Sequence, residues 1–372
     1  MRKFGLALLL VYAPVYLAAQ CTSTLSSSGV TSDGAQYVVY MPPMSCYNGD
    51  MVLFAHGYVP VGSPAGTWQS QLALPDGTSL PGLLNSLGFG FAASGFSKDG
   101  LAILQGIQDT KGLTTVIHGL SIPVHKYFVT GASEGGLIAT KSVESDATYS
   151  GGVSVCGPIG SFQKQINYFG DVRVLFDYFF PGVLPGTAIS IPSTLIANWT
   201  TVYEPAVLKA LNGNVLATLE LLNTAQIPIG LNFNNASTAI VDALWYNVFA
   251  TSDAQATLGG NPYGNLHTVY SGSLNDVRLN AMVGRFSEDS TAMGNVVNYE
   301  TTGILHDPLV TLHTTADPVV PYWQETLYAT KVQGTGSSSE LVEIPAIAFG
   351  HCNVTGTEAE AALLVMLLKA GL

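Results

Sequence analysis

One short stretch constrains the fold more than any other part of the chain. A β-favouring run, residues 127–130 (YFVT), leads directly into the sequence GASEG, in which Ser133 lies between Gly131 and Gly135, and helix-forming residues follow. This is the pattern G-x-S-x-G in the context of a strand followed by a helix. A serine on such a tight turn has strained backbone dihedrals, and its flanking positions must be small because the strand and the helix crowd them. The stretch therefore predicts a layered strand–helix fold that presents the Ser133 hydroxyl at the carboxyl edge of a sheet.

Short apolar runs are spaced along the chain, and most are continuous rather than alternating. They are QYVVYM, MVLFAH, GFGFAAS, KYFVTG, GGVSVCG, PLVTLHTT and LVEIPAI. Continuous runs are typical of strands that are covered on both faces of a mainly parallel sheet. Helical patterns lie between them, as in 99–120 and 135–145. The alternation predicts an α/β fold, with a mainly parallel central sheet flanked by helices and right-handed crossovers.

The alternation of strands and helices is interrupted once, at 158–302. This segment is rich in aromatic residues and in helical patterns, as in PAVLKALNGNVLATLELLNTA. We interpret it as a largely helical insertion in a core domain formed by 20–157 and 303–372. The alternative is a separate domain with its own function.

The N-terminus and the charge indicate where the protein acts. Arg2 and Lys3 precede an apolar stretch, and Ala18 and Ala19 offer small residues for cleavage, so 1–19 is predicted to be a signal peptide; the alternative is a membrane anchor. Elsewhere no uninterrupted apolar run reaches the length of a spanning helix, so no stable membrane insertion is expected after removal of the signal. The net charge of -12 argues against a nucleic-acid partner.

Four cysteines remain after the predicted cleavage site: Cys21, Cys46, Cys156 and Cys352. An even number in an exported chain favours disulfides over metal binding, and no cysteine or histidine cluster has zinc spacing, so no metal site is predicted. Three pairings are possible. We prefer Cys21–Cys46, which would fasten the new N-terminus, and Cys156–Cys352, which would hold the loop after the last strand; the alternative is that one pair is reduced and buried.

A serine needs a base, and the base needs a group that orients it. Asp317 follows the run PLVTLHTTA and His351 follows LVEIPAIAFG, so both lie just beyond late strands, in the chain order Ser, Asp, His. Ser133, Asp317 and His351 are therefore the predicted catalytic residues. Asp307 competes with Asp317 but stands at the opposite end of its strand. The remaining histidines fit less well in position: His118, His125, His267, His306 and His313.

Two backbone N–H groups are candidates for binding an oxyanion. One is that of Glu134, at the start of the helix after Ser133, where the helix dipole favours negative charge. The other is that of Tyr58, because Gly57 allows the chain to turn after the buried run MVLFAH. His56 is interpreted as a structural residue beneath this loop.

Together, the GASEGG, His56-Gly57-Tyr58, Asp317-Pro318 and Gly350-His351 motifs resemble the α/β-hydrolase superfamily, in particular its secreted esterases and lipases. The resemblance covers roughly 35–157 and 303–372. It implies an α/β-hydrolase fold in which 158–302 is a cap over the serine, and hydrolysis of an ester through an acyl-enzyme without a cofactor. The cysteine beside His351 is also similar to tannase and feruloyl esterase-like enzymes, although Ala132 stands where those enzymes place the second cysteine.

The expected substrate is a small-molecule or polymer-borne ester. Six aromatic residues lie close together in the insertion and predict a pocket for an apolar or aromatic acyl group, unless they are ordinary core packing: Tyr168, Phe169, Phe176, Tyr178, Phe179 and Phe180. Two other functions remain open at this point. A serine peptidase would use the same three residues, and a non-catalytic binding protein could share the scaffold.

Overall fold

The computed structural model describes residues 21–372, so the predicted signal peptide lies outside the described residues. Eight strands form one sheet: β1 (Thr24–Val30), β2 (Gln36–Met41), β3 (Asp50–Ala55), β4 (Gly90–Ser94), β5 (Lys126–Ala132), β6 (Tyr149–Val155), β7 (Leu309–Ala316) and β8 (Leu341–Phe349). Their spatial order is β1-β2-β4-β3-β5-β6-β7-β8. Strand β2 is antiparallel to both of its neighbours, and β3 to β8 are parallel to one another.

This topology is the α/β-hydrolase fold, as predicted. The seven apolar runs singled out in the sequence form β2 to β8. The edge strand β1 was not predicted, because it reads TLSSSGV and its side chains are mostly exposed. A polar edge strand lacks the buried apolar run that identifies the inner strands.

Twelve α-helices accompany the sheet within the described residues: α1 (Leu80–Ser86), α2 (Ile103–Gly119), α3 (Glu134–Ser145), α4 (Phe162–Phe179), α5 (Ser193–Ala197), α6 (Glu204–Gly213), α7 (Val215–Ala225), α8 (Ala236–Leu258), α9 (Asp276–Met282), α10 (Ser290–Val296), α11 (Trp323–Thr335) and α12 (Gly356–Lys369). Short 3-10 helices span Thr67–Leu72, Phe233–Asn235 and Val297–Tyr299, and a π-helical turn spans Trp199–Tyr203. Helices α4 to α10 all lie between β6 and β7, which makes the 158–302 segment helical.

The two faces of the sheet carry two separate apolar clusters. Leu53 and Val129 belong to the cluster that is shared with α2 and α3. Val52 and Phe128, each one position earlier along the same strands, point to the cluster that is shared with α1 and α12. Because alternate side chains of a strand point to opposite faces, strands with continuous apolar runs can be covered on both sides.

A third apolar cluster lies inside the 158–302 segment, which we call the cap insertion. It is centred on α4, α7 and α8 and buries Phe176, Leu221 and Leu244 completely. The six aromatic residues that were considered as a pocket belong to it: Tyr168, Phe176 and Phe180 are buried members, and Phe169, Tyr178 and Phe179 pack against them. These six residues therefore take part in the core packing of the cap insertion.

Among residues 21–372, each helix is too short or too polar to span a lipid bilayer.

The cap core gives a stability prediction. Phe176 is completely buried, whereas Phe233 is 42% exposed. Replacing Phe176 by Ala removes a buried ring and leaves a cavity, so we expect the free energy of unfolding to fall by about 3–5 kcal/mol. The matched Phe233→Ala change should alter it by less than about 0.5 kcal/mol. Urea unfolding followed by circular dichroism measures both values, and equal losses in the two variants would contradict a packed cap core.

Candidate active site

Ser133 occupies the turn between β5 and α3, in a backbone conformation that residues other than glycine rarely adopt. Its φ is 58° and its ψ is -123°. Such a conformation costs about 1–3 kcal/mol and persists only where the surroundings enforce it. The Ser133 N–H donates to the carbonyl oxygen of Val155 on the neighbouring strand at 2.8 Å. The turn therefore holds the serine side chain at the carboxyl edge of the sheet.

The two glycines that flank the turn lie where no side chain fits. A Cβ atom added to Gly131 would lie 2.1 Å from the carbonyl oxygen of Gly135. A Cβ atom added to Gly135 would lie 2.0 Å from the carbonyl oxygen of Ala55, on β3. Because the contacts are to backbone atoms, they cannot be relieved by moving a side chain. The crowding that the GxSxG pattern predicts is present at both positions.

Three side chains from distant parts of the chain form a continuous hydrogen-bonded row. His351 Nε2 is 2.7 Å from Ser133 Oγ, and His351 Nδ1 is 2.7 Å from Asp317 Oδ2. Asp317 directly follows β7, and His351 lies two residues beyond β8, so parallel strands bring all three to one edge of the sheet. The Asp317 side chain is completely buried and that of His351 is 17% exposed. The structure thus brings together the three residues that the sequence analysis selected.

The Asp317 carboxylate is ionised despite its burial. Burial by itself would raise its pKa, but the charge of His351 and hydrogen bonds from His313 and His351 outweigh that effect and lower the pKa to about 2. Its Oδ1 atom accepts hydrogen bonds from the backbone N–H groups of Val319 and Val320 at 2.8 and 2.9 Å. The Asp-Pro turn therefore fixes the carboxylate and leaves Oδ2 for His351.

His313, one of the histidines set aside in the sequence, lies behind Asp317. Its Nδ1 is 2.8 Å from Glu325 Oε1, and its Nε2 is 2.8 Å from the carbonyl oxygen of Val320 and 3.6 Å from Asp317 Oδ2. Burial alone would lower its pKa, but hydrogen bonds to Asp317 and Glu325 and their charges raise the pKa to about 10. Sequence reasoning missed this role, because His313 lies inside an apolar strand and shows no local motif.

The loop after β3 lies directly beside Ser133. A Cβ atom on Gly57 would lie 3.1 Å from Ser133 Cβ, and the Gly57 N–H donates to Gln71 Oε1 at 2.7 Å. Among residues 21–372, the backbone N–H groups of Tyr58 and Glu134 have no hydrogen-bond acceptor. The residue after Ser133 and the residue after Gly57 thus each have a backbone N–H group without an acceptor in this part of the chain.

His56 is part of the support for this loop. It is 3% exposed and is stacked on Phe96 with ring centroids 4.0 Å apart. Its Nδ1 is 2.6 Å from the carbonyl oxygen of Gly57, and burial lowers its pKa to about 4. A neutral, stacked imidazole beneath the loop agrees with the structural role expected for it.

The side chain of Glu134 points away from Ser133 into the protein. Its Oε1 accepts a hydrogen bond from the Ala102 N–H at 2.7 Å, and burial raises its pKa to about 8. Asp253, on α8, accepts from the adjacent Leu101 N–H at 2.5 Å. The carboxyl group after the serine thus fastens a neighbouring loop, while its backbone N–H remains available.

Both pairs of cysteines are bonded as preferred. The Cα atoms are 5.9 Å apart in Cys21–Cys46 and 5.5 Å apart in Cys156–Cys352. Cys156 follows β6 and Cys352 follows His351, so the second bridge joins two loops at the site. Within 21–372, Cys156, His351 and Cys352 form a group of potential metal ligands. The sulfur atoms of Cys156 and Cys352 are bonded to each other. They are therefore not thiolates, the form in which cysteine binds a metal.

Two residues of the cap insertion approach the site and were not predicted. The Tyr246 ring lies edge-on to the His351 ring, with centroids 6.3 Å apart, and Tyr246 lines the same cavity as Ser133. Asp242 lies one helical turn earlier on α8; burial raises its pKa to about 6, and the charge of His351 opposes that shift. Both lie in a long helix about a hundred residues from the serine, where the sequence has no pattern that marks them.

A cavity of about 390 Å³ opens at Ser133 and His351. Its lining comes mainly from the core domain, and Tyr246 is the cap residue in it. This volume lies within the range of small-molecule binding sites.

Comparisons with known proteins find distant similarities to solved structures. No protein-family model matches the sequence, and no curated protein matches it. Among solved structures, the chain is similar to an esterase of Pyrococcus furiosus, Pf2001, at 12% identity and a TM-score of 0.45, covering 92% of this chain and 88% of that one. It is also similar to the rice cell wall degrading esterase LipA from Xanthomonas oryzae, at 13% identity and a TM-score of 0.45, covering 91% and 85%.

A third similar structure is the acylaminoacyl peptidase of Pyrococcus horikoshii, at 12% identity and a TM-score of 0.45. The alignment covers 93% of this chain and 40% of that one. These similarities are too distant to inform the substrate. The fold assignment rests on the strand order and on the position of Ser133.

The His313–Glu325 pair gives a pH prediction. A histidine whose pKa is raised from 6.5 to about 10 by folding stabilises the protein fully below pH 6.5, and this stabilisation is lost as the pH rises toward 10. The free energy of unfolding should therefore fall between pH 7 and 10, and His313→Gln should lack this part of the decline. The matched control is His267→Gln, at an exposed position. Denaturant titrations at each pH measure the effect; parallel profiles for wild type and His313→Gln would show that His313 is not protonated in the native state.

Proposed function

We propose that this protein is a secreted serine hydrolase that cleaves carboxylic esters through an acyl-enzyme intermediate. The observation that carries the proposal is the hydrogen-bonded row of Ser133, His351 and Asp317, with 2.7 Å at both steps, on a strained turn beside two free backbone N–H groups. Export is supported by the predicted signal peptide and by the two disulfides, which persist in oxidising compartments.

In the first step, Ser133 Oγ attacks the ester carbonyl carbon and its proton passes to His351 Nε2. The resulting imidazolium keeps its Nδ1–H bond to Asp317, whose negative charge is already in place because its pKa is about 2. A buried, oriented carboxylate stabilises this charge without reorganising during the reaction.

The tetrahedral intermediate carries its negative charge on the former carbonyl oxygen. The N–H groups of Tyr58 and Glu134 are the proposed donors to it, and losing one such donor typically costs about 100- to 1000-fold in rate. The intermediate collapses when His351 returns its proton to the leaving alcohol. Water then attacks the acyl-enzyme with His351 as base, which releases the acid and regenerates Ser133, so no cofactor takes part.

We also propose that the 158–302 segment acts as a cap. Its helix α8 places Tyr246 in the lining of the cavity at Ser133, and the Phe249 carbonyl oxygen on the same helix accepts a hydrogen bond from the Tyr58 hydroxyl at 3.1 Å. Contact with both the serine and the oxyanion loop is the arrangement expected for a segment that excludes water from the reacting groups.

The proposal predicts how three variants behave. Ser133→Ala and His351→Gln should each lower kcat for a p-nitrophenyl ester by about 10⁶-fold, and Asp317→Asn by about 10⁴-fold, because the acid acts only through the histidine. Initial rates and labelling of the serine by a fluorophosphonate probe measure this. The control is Ser337→Ala, in the loop before β8, which should keep full activity.

Other outcomes would point to the other functions. Rapid cleavage of peptide anilides with slow cleavage of esters would make the protein a peptidase with the same residues. A wild-type protein that neither reacts with the probe nor cleaves either substrate would be a binding protein on a hydrolase scaffold.

A further inference from the structure

We propose that the cavity at Ser133 binds an unbranched aliphatic acyl chain, which enters the core of the protein between the sheet and two helices. This inference rests on the proposed function and adds the chemical class of the substrate. It differs from the expectation of an aromatic pocket in the cap, whose six aromatic residues are used in packing.

The floor of the cavity is one face of the central sheet. Three adjacent strands, β3, β5 and β6, each contribute two side chains that are two positions apart: Val52 and Phe54, Thr130 and Ala132, Val153 and Val155. Residues two apart on a strand point to the same face and lie about 7 Å from each other. The cavity therefore extends from the level of Ser133 at least two residues down the strands.

The exposure of side chains along β5 also indicates how far the cavity extends. Thr130 and Ala132 lie on β5, between β3 and β6, yet both side chains are half-buried rather than fully buried. Phe128, on the same face two positions further down, is completely buried. The open space thus begins beside Ser133 and ends above Phe128, because the smaller side chains leave it unfilled.

The walls are aliphatic and come from two helices of the core. Leu80, Leu83 and Leu84 line the cavity from α1, and Ala359 and Leu363 line it from α12. Aliphatic walls favour a hydrocarbon chain over a polar group. Each methylene buried there contributes about 0.8 kcal/mol.

The polar groups of the lining lie near its mouth, with Thr130 as the deeper exception. Ser133, His351 and Tyr58 belong to the reacting end, and Gln71 is already bonded to Gly57. Within the part of the chain that the structure describes, the lining includes no Asp, Glu, Lys or Arg. A charged or polyhydroxylated acyl group would lose its hydration there without adequate compensation.

The same space suits the acyl part better than the alcohol part of an ester. The acyl group stays attached to Ser133 through both steps, whereas the alcohol must leave so that water can take its place. A site that reaches into the core can hold the acyl chain without obstructing the departure of the alcohol. At about 30 Å³ for each atom of water size, 390 Å³ holds roughly a dozen such groups, so an acyl chain of medium length fits.

The test compares p-nitrophenyl octanoate with p-nitrophenyl acetate. The wild type should show the higher kcat/KM for octanoate. Ala359→Phe, which fills the cavity from α12, should lower kcat/KM for octanoate by roughly tenfold or more while changing that for acetate less than about threefold. The matched control is Ala361→Phe, at an exposed position on the same helix, which should leave both values unchanged.

Thr130→Phe fills the cavity from the sheet side and provides a second, independent variant. Fluorophosphonate labelling of Ser133 shows that each variant is folded and reactive. Equal effects of both cavity variants on the two esters would overturn the inference, as would a wild-type preference for acetate or for an aromatic ester such as the benzoate.

A binding measurement separates this inference from the proposed function. Saturation-transfer NMR on the Ser133→Ala protein should detect octanoate, and the signal should fall when Ala359→Phe is added. Octanoate binding of this kind in a protein that cleaves no ester would support the cavity and overturn the hydrolase. If the wild type cleaves esters but Ser133→Ala does not bind octanoate, the hydrolase is supported and the acyl-chain cavity is overturned.

Discussion

The left-handed backbone of Ser133 is the constraint on which the rest of the site depends. It is maintained because β3, β5 and α3 meet so closely that Gly131 and Gly135 have no room for a side chain. The loop after β3 also lies against this turn, because a Cβ atom added to Gly57 would be 3.1 Å from Ser133 Cβ. One packing arrangement therefore holds Ser133 at the edge of the sheet with the loop after β3 against it, and the surrounding sheet maintains the strained turn.

The acid of the site shows how a buried charge is kept ionised. Asp317 is completely buried, which by itself favours the neutral carboxyl group. Two backbone N–H groups bind one of its oxygens, and imidazoles lie on both sides of the other, His351 at 2.7 Å and His313 at 3.6 Å. Glu325 balances the charge of His313, and Thr311 donates to the second oxygen of Glu325 at 2.6 Å. The buried cluster thus maintains a fixed negative charge that faces His351.

Much of the fold could be predicted from local sequence, because strands buried on both faces appear as continuous apolar runs. Ser133, Asp317 and His351 could be located for a related reason. Each follows such a run, and parallel strands end at a common edge. The polar strand β1 escaped detection because an exposed edge lacks the apolar pattern.

The parts that could not be predicted depend on packing between distant segments. His313 is one residue in an apolar strand, and only the tertiary structure shows that Glu325 and Asp317 surround it. Tyr246 lines the cavity at Ser133, a position that only the tertiary structure shows. The cavity arises from side chains too small to fill the space between two layers, such as Thr130, and a small side chain in a sequence does not reveal whether its neighbours close the gap.

The position of α8 links the cap insertion to the reacting groups in two places. The Tyr58 hydroxyl bonds to the Phe249 carbonyl oxygen, so the residue proposed to donate its N–H to the oxyanion is also held by the cap. One turn further along, Asp253 accepts from the Leu101 N–H, beside the loop that Glu134 fastens. Tyr58 and Glu134, the two proposed oxyanion donors, are therefore connected to the same helix, directly or through one loop. The positions of the Tyr58 loop and of the loop that Glu134 fastens therefore both depend on hydrogen bonds to α8.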